Sequence, residues 1–108
     1  MLVNKDIEIN TVVSIKLTSG EEVVGYYDRE VDNTIILRKP LSIVMTQNGP
    51  AFAPYFYTGD DIKANPKIEF NNNYIIAKIK TNKDFADGYT QAVSGIASAK
   101  HNTGKLLS

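Results

Sequence analysis

Residues 13–27 read VSIKLTSGEEVVGYY, and this stretch decides the fold. In its first half the apolar residues Val13, Ile15 and Leu17 alternate with polar ones. Alternation with a period of two, carried largely by β-branched side chains, is typical of a strand with one buried face. The segment around Gly20 is typical of a turn. The pattern therefore predicts a β-hairpin: a strand, a tight turn and a second strand.

The second strand of this hairpin has a glycine at its middle. Val23, Gly25 and Tyr27 share one predicted face, and glycine is normally unfavourable inside a strand. A strand that bends sharply to curl a small sheet has a use for a residue without a side chain. We therefore interpret Gly25 as the mark of a strongly bent sheet.

The chain after the hairpin continues in short β segments. Strands are predicted over residues 35–45, 51–57 and 74–80, and residues 68–70 allow a further short strand. Pro40 interrupts the first of these segments, which indicates a bend, a bulge or an edge, because proline cannot donate to a ladder. Together with the hairpin, the segments predict five main strands.

The last part of the chain changes to helical spacing. Apolar residues recur at Phe85, Tyr89, Ala92, Val93 and Ile96. This spacing predicts a helix over residues 83–99, capped by Thr81 or Asn82. The helix is rich in small side chains, which suit packing either on its own sheet or on a partner protein.

The composition indicates one small domain with balanced charge. The chain has 108 residues, with 12 basic and 12 acidic side chains and a net charge of zero. We expect a single domain over residues 1–108, with its core at 12–80 and a polar tail at 100–108. Nucleic-acid binders usually carry a basic excess, and the only arginines here are Arg29 and Arg38. The charge therefore argues against broad binding to phosphate.

Several kinds of protein are disfavoured by what the sequence lacks. The chain contains no cysteine, which excludes disulfides and thiolate metal sites. It carries no nucleophile, phosphate-loop, zinc or paired-carboxylate pattern, so we expect no catalytic activity, no cofactor and no bound metal. Residues 1–10 have no apolar run, and no segment approaches the ~20 apolar residues of a membrane helix. We expect a cytoplasmic protein without membrane contact. The frequent Ile, Lys and Asn are typical of an AT-rich genome, such as that of a virus or phage.

Two segments carry motifs that resemble those of one family. Val13-x-Ile15-x-Leu17-x-x-Gly20-x-x-Val23-x-Gly25-x-Tyr27 resembles the first half of the Sm1 motif of Sm and LSm proteins, and Asn33, Ile35 and Leu37 resemble its end. Asn72-Asn73-x-x-Ile76-x-x-Ile79 occupies the place of the Sm2 motif, with Asn72-Asn73 where the family has an Arg-Gly pair. The resemblance covers about residues 12–80.

The resemblance implies a mainly β, Sm-like fold. Its strongly bent five-stranded antiparallel sheet would form a small open barrel, here with a C-terminal helix. Subunits would join edge to edge into a homo-oligomeric ring that binds short single-stranded RNA around its pore. The residues implied for RNA binding are Arg29, Glu30, Asp32, Asn33, Asn72 and Asn73. Those implied for the subunit interface are Phe52, Tyr55, Phe56, Tyr57, Ile75, Ile76 and Ile79.

Two other functions compete with the RNA-binding ring. One is a homo-oligomeric structural or assembly adaptor, of a viral kind, that does not bind RNA. The neutral charge, the missing Arg-Gly pair and the acidic loop between the second and third strands favour it. The other is an SH3-like or OB-like barrel that acts as a monomeric binding module. The family resemblance places the RNA-binding ring slightly ahead.

Overall fold

The computed structural model describes residues 7–59 and 67–98, which form a mainly β structure with one C-terminal helix. The strands are β1 Val12–Leu17, β2 Glu22–Val31, β3 Thr34–Thr46, β4 Gly49–Pro54, β5 Lys67–Asn71 and β6 Ile75–Lys80. A 3-10 turn, Asn72–Tyr74, joins β5 to β6, and the helix α1 covers Lys83–Ser98. The predicted hairpin at the start of the chain, now β1 and β2, is confirmed. The predicted tail at 100–108 lies outside the described residues.

The strands form one antiparallel sheet in the order β4-β3-β2-β1-β6, and β5 also pairs with β3. Along β3, Leu41 lies opposite Pro54 of β4 and Arg38 lies opposite Lys67 of β5, so β4 and β5 follow one another along the same side of β3. The sheet therefore has six strands where the sequence predicted five. The predicted strand over residues 51–57 ends at Pro54, where the chain leaves β3 and later returns as β5.

The two faces of the sheet bury two separate hydrophobic clusters, because neighbouring strand residues point to opposite sides. The first cluster contains Val13, Ile15, Val23, Tyr27, Ile35, Leu37 and Phe70. The second, which we call the helix-covered cluster, contains Val24, Leu41, Tyr89 and Val93. The helix therefore packs on its own sheet.

Helix α1 begins where the sequence predicts a cap. The side-chain oxygen of Asn82 accepts a hydrogen bond from the backbone N–H of Phe85 at 2.8 Å. This bond satisfies one of the N–H groups that the first helical turn leaves without a partner. Thr81 does not cap the helix; it is buried, and its hydroxyl is 2.7 Å from that of Ser14 in β1. Asn82, two residues after the end of β6, is therefore the residue that caps the start of the helix.

Tyr89 fixes the helix on the sheet. Its side chain is fully buried, and its ring contacts those of Tyr26 and Phe52 at centroid distances of 5.1 and 6.0 Å. Its hydroxyl donates to the backbone oxygen of Lys39 at 2.6 Å. Burial raises the pKa of Tyr89 well above its ordinary value of 10.0, so the phenol remains protonated. The residue combines apolar burial with a hydrogen bond to an irregular part of β3.

Gly25 lies where β3 comes very close to β2. A Cβ atom at this position would be 3.3 Å from the Cα of Pro40 and 3.2 Å from the Cβ of Leu37. The pairing of β2 with β3 shifts register at this point, and Lys39 has a positive φ of 53°. A β-bulge with a close backbone approach is a common reason for a glycine inside a strand. The predicted break at Pro40 is therefore an irregularity in a continuous β3.

Candidate functional site

Two loops that are distant in the sequence meet at one end of the sheet. Asp32 and Asn33 form the tight turn between β2 and β3, and Asp32 has a positive φ of 55°. The 3-10 turn follows β5, and its first residue, Asn72, donates its backbone N–H to the carbonyl oxygen of Asn33 at 2.8 Å. The side chain of Asn71 caps this turn by accepting from the N–H of Asn73 at 2.8 Å. Local turn chemistry thus fixes both loops against each other.

Three exposed asparagine side chains join these loops, and we call Asn33, Asn71 and Asn73 the amide cluster. The amide nitrogen of Asn33 donates to the side-chain oxygen of Asn73 at 2.9 Å and to that of Asn71 at 3.3 Å. Each side-chain amide carries two donor hydrogens and an oxygen with two lone pairs. The cluster therefore keeps polar groups available to a ligand after its internal bonds are made.

A charged group that is mostly buried lies beside the amide cluster. The ammonium of Lys78 in β6 is 2.9 Å from the carboxylate of Glu30 and donates to the side-chain oxygen of Asn72 at 3.1 Å. Only 16% of the Lys78 side chain and 19% of the Glu30 side chain are exposed. The pKa of Tyr27 is raised above its ordinary value of 10.0, mainly by burial and to a smaller extent by the negative charge of the nearby Glu30. The two opposite charges neutralise each other and hold β6, β2 and the 3-10 turn together.

The structure brings together four of the six residues predicted for RNA binding. Glu30, Asn33, Asn72 and Asn73 all take part in the contacts described above. Their arrangement as a connected group depends on tertiary pairing that the sequence pattern does not contain. The other two predicted residues lie outside this network.

Arg29 and Asp32 are the two predicted residues that the described contacts do not connect to the cluster. Arg29 forms an ion pair with the neighbouring Asp28 at 3.4 Å, and 61% of its side chain is exposed. Asp32 is exposed in the turn beside Asn33, and within residues 7–59 and 67–98 its carboxylate forms no hydrogen bond or ion pair with the cluster. Both side chains are at the surface, and each residue is a sequence neighbour of a residue of the network, Glu30 or Asn33.

Sequence reasoning missed three residues of this region. The sequence pattern assigns no role to Asn71, and it places Lys78 only within the predicted strand over residues 74–80. Tyr74, the last residue of the 3-10 turn, has a side chain that is 62% exposed. No signal in the sequence marks Tyr74, because an aromatic residue directly after a run of asparagines is also typical of an ordinary strand start. Its exposure depends on the 3-10 turn, which the sequence pattern does not reveal.

A second charged group surrounds Asp28, whose side chain is only 6% exposed. Three cations lie near it: Arg29 at 3.4 Å, Arg38 at 3.5 Å and Lys67 at 3.8 Å. The guanidinium of Arg38 also lies over the ring of Tyr26, at 5.2 Å from its centroid. One Asp28 oxygen and one Arg38 nitrogen are buried without a hydrogen-bond partner. This group carries more positive than negative charge in a chain whose net charge is zero.

The predicted interface residues fall into two groups. Phe52, Tyr55 and Ile75 pack within the chain, since Phe52 stacks on Phe85 at a centroid distance of 4.9 Å and the other two contact the first cluster. The exposed members are Phe56 at 57%, Tyr57 at 81%, Ile76 at 66% and Ile79 at 65%. Ile76 and Ile79 belong to β6, which is an edge strand.

Comparisons with known proteins give no relative from which a function can be transferred. No protein-family model matches the sequence, and no curated protein matches it. Among residues 7–59 and 67–98, no group of three or more His, Cys, Asp or Glu side chains is placed to hold a metal ion. Within those same ranges, no helix has the length and apolar character to span a membrane.

Proposed function

We propose that this protein is a cytoplasmic, Sm-like homo-oligomeric ring that binds single-stranded RNA at the amide cluster. One observation carries the proposal: the side-chain amide of Asn33 donates to that of Asn73 at 2.9 Å, across 40 residues of sequence. This bond joins the two segments that resemble the end of the Sm1 motif and the start of the Sm2 motif. The resemblance implies a base-binding pocket at that junction.

The order of the strands supports the Sm-like part of the proposal. Because β4 and β5 follow one another along the same side of β3, the six strands occupy five positions across the sheet. Together β4 and β5 stand where the family has its fourth strand, and β6 stands where it has its fifth. Gly25, the second glycine of the Sm1-like motif, lies against the irregularity of β3. A strong bend of the sheet at this position would account for that glycine.

The open edges of the sheet support assembly. On this path of strands β6 has a neighbour on one side only, and the side chains of Ile76 and Ile79 are 66% and 65% exposed. An unpaired edge with apolar side chains is an aggregation hazard unless something covers it. Pairing with another copy of the chain removes the edge from every subunit once a ring closes.

The chemistry of the amide cluster suits bases better than phosphates. Amide groups can donate to and accept from the edges of unpaired bases, and the exposed ring of Tyr74 offers a stacking surface. Lys78 is neutralised by Glu30, and the chain as a whole is uncharged. Binding should therefore depend weakly on salt, since the logarithm of the affinity for single strands falls by about 0.7 per phosphate contact for each tenfold rise in salt.

The test is fluorescence anisotropy of labelled short U-rich and A-rich RNAs, titrated with nuclease-treated protein at two salt concentrations. We expect the protein to prefer one of the two RNAs and Asn73→Ala to weaken that binding about tenfold, which is the effect of losing roughly 1.4 kcal/mol. Asn48→Ala is the matched control, because Asn48 is an exposed asparagine in the turn between β3 and β4. Absence of binding at low salt, or an equal effect of both substitutions, would contradict the proposal.

The alternative function is a homo-oligomeric structural or assembly adaptor without RNA. The specific observation that favours it is the exposure of Met45 and Tyr57, at 77% and 81%, neither of which belongs to the amide cluster. The outward positions Thr90 and Gln91 of α1 offer a further surface for a protein partner. An assembled protein that binds neither RNA would support the adaptor, and a monomer at all concentrations would support an SH3-like or OB-like module.

A further inference from the structure

Three cations surround the carboxylate of Asp28, and we call Asp28, Arg29, Arg38 and Lys67 the cationic group. The Nη1 of Arg29 and the Nζ of Lys67 lie 3.4 and 3.8 Å from Oδ2 of Asp28. The Nε of Arg38 lies 3.5 Å from the other oxygen, Oδ1. All three distances exceed the usual range of about 2.7–3.2 Å for a direct N–H···O hydrogen bond, and Oδ2 has no hydrogen-bond partner. Asp28 therefore offsets part of the positive charge without binding any of the three cations tightly.

The strand register places two of these cations face to face. Arg38 of β3 lies directly opposite Lys67 of β5. Side chains directly opposite one another in antiparallel strands have Cβ atoms about 4.5–5.5 Å apart, and like charges in such a pair are destabilising. The nitrogens of Arg29 and Lys67 share one Asp28 oxygen, so they are at most about 7 Å apart, the sum of their two distances from it. The fold thus holds mutually repelling charges together beside one acid.

The cationic group has an excess of two positive charges. It contains three cations and one carboxylate, in a chain whose net charge is zero. A phosphate monoester carries a charge of about −1.5 to −2 at pH 7 and three strong acceptor oxygens. Guanidinium and ammonium groups both bind such oxygens through charge-assisted hydrogen bonds. A phosphate monoester therefore matches the excess charge and the donors of the group.

One cation of the group is fixed by the fold, and the other two are accessible. Only 15% of the Arg38 side chain is exposed, its guanidinium lies over the ring of Tyr26, and one of its nitrogens is buried without a hydrogen-bond partner. The side chains of Arg29 and Lys67 are 61% and 51% exposed. A ligand that arrives from solvent meets two accessible cations beside a third that is held in place.

We propose that the cationic group is a binding site for a phosphate monoester. Arg29 and Lys67 donate to the phosphate oxygens, and Arg38 supplies a fixed positive charge next to them. The monoester belongs to a free nucleotide or to the end of an RNA, since both present the same dianion. The site depends neither on the proposed ring nor on the amide cluster, so it can fail while the proposed function stands, and the reverse.

The test is a nuclear magnetic resonance titration of ¹⁵N-labelled protein with uridine monophosphate. The chain contains two arginines, so the side-chain Nε–H signals of Arg29 and Arg38 can be followed separately. We expect both signals to shift saturably with the nucleotide and to stay in place with uridine, which has no phosphate. Lys67→Gln should weaken the binding about tenfold, because it removes a charge-assisted hydrogen bond.

Lys80→Gln is the matched control, because Lys80 is an exposed lysine on β6 and not part of the cationic group. This variant should bind uridine monophosphate as the wild-type protein does. No saturable shift in the wild-type protein, or an equal loss of affinity in the two lysine variants, would overturn the proposal.

Titrations with RNA separate the two sources of the monoester. If the natural ligand is an RNA end, a short U-rich RNA with a 5′-phosphate should shift the arginine signals at lower concentration than uridine monophosphate does. If it is a free nucleotide, the order should be reversed. An RNA with a 5′-hydroxyl that shifts these signals as strongly as the phosphorylated RNA would contradict a monoester site.

The stability of Lys67→Gln gives a readout that a purely structural role would not produce. Without phosphate, this variant should melt at or above the wild-type temperature, because it removes the repulsion between Lys67 and Arg38. A lower melting temperature combined with wild-type nucleotide binding would show that Lys67 serves only the fold. Asp60 and Asp61 precede Lys67 in the sequence and lie outside the described residues. Nucleotide binding that appears only after Asp60→Asn with Asp61→Asn would assign the site to the chain's own carboxylates and reject the proposal.

Discussion

The face of the sheet beneath α1 and the end that carries the amide cluster are built from different interactions. Under the helix, Tyr89, Val93, Val24 and Leu41 are buried and pack closely. At the amide cluster, the side chains are exposed and held by hydrogen bonds between asparagines. Burial of apolar area dominates folding, whereas an exposed hydrogen bond contributes little net free energy. The first region therefore supplies stability, and the second is free to serve a ligand.

The largest expected effect comes from the helix-covered cluster. Tyr89→Ala should lower the free energy of unfolding by about 3–5 kcal/mol, because it removes a fully buried ring and leaves a cavity. Chemical denaturation measures the change. Tyr74→Ala is the control at the other region and should change stability by less than about 0.5 kcal/mol, because its ring is exposed. Equal losses in the two variants would remove the distinction between the regions.

The next effect concerns the close approach of β3 to β2. Gly25→Val should cost about 1–3 kcal/mol or more, because even a single added carbon would be 3.2 Å from the Cβ of Leu37. Gly88→Ala is the matched glycine control, since its added carbon meets only Phe52, at 3.9 Å. In the interior of α1 it should raise stability by up to about 1 kcal/mol. A Gly25→Val protein that melts at the wild-type temperature would contradict the close approach of β3 to β2 at this glycine.

A smaller effect is expected at the charged pair beside the amide cluster. Lys78→Met should cost about 1–2 kcal/mol, because it removes charged hydrogen bonds to Glu30 and Asn72 that are mostly shielded from water. The control is Lys16→Met, whose ion pair with Glu22 is longer, at 3.4 Å, and about 40% exposed. That pair should contribute less than about 1 kcal/mol. Equal costs for the two substitutions would show that shielding is unimportant at Lys78.

The smallest effect is a dependence on pH that arises from Tyr89. The pKa of Tyr89 is higher in the folded protein than its ordinary value of 10.0, so the unfolded chain loses this proton first as the pH rises. The stabilisation that comes from the protonated phenol is therefore complete below about pH 10 and is lost as the pH rises above that value. The melting temperature should therefore fall above about pH 10. Tyr89→Phe removes this proton and should show a shallower fall. Identical slopes for the two proteins would assign the effect to other tyrosines.

Much of the fold could be predicted from local patterns, and the misses have physical causes. The β1–β2 hairpin and the helix follow from periodicity and a cap at Asn82. The extra strand β5 was missed as a main strand because its five residues carry only two inward apolar side chains, Ile68 and Phe70. A short strand of this kind is fixed by its pairing with β3, which a sequence window does not contain.

The candidate site was predicted in part for the same reason. Glu30, Asn33, Asn72 and Asn73 were found through a resemblance between motifs, and tertiary pairing brings them together. The roles of Lys78 and Asn71 depend on side-chain contacts between strands that are far apart in the sequence. Periodicity assigns a residue to a face of a strand but does not identify the side chain opposite it.

The most direct test of the central claim is a nuclear magnetic resonance titration of ¹⁵N-labelled protein with the preferred RNA. The side-chain amide signals of Asn33, Asn71 and Asn73 should shift together as RNA is added, while the signal of Asn48 remains in place. This result would place the RNA at the amide cluster. Saturable shifts confined to other residues, or no shifts at concentrations where the other measurements detect binding, would contradict the account.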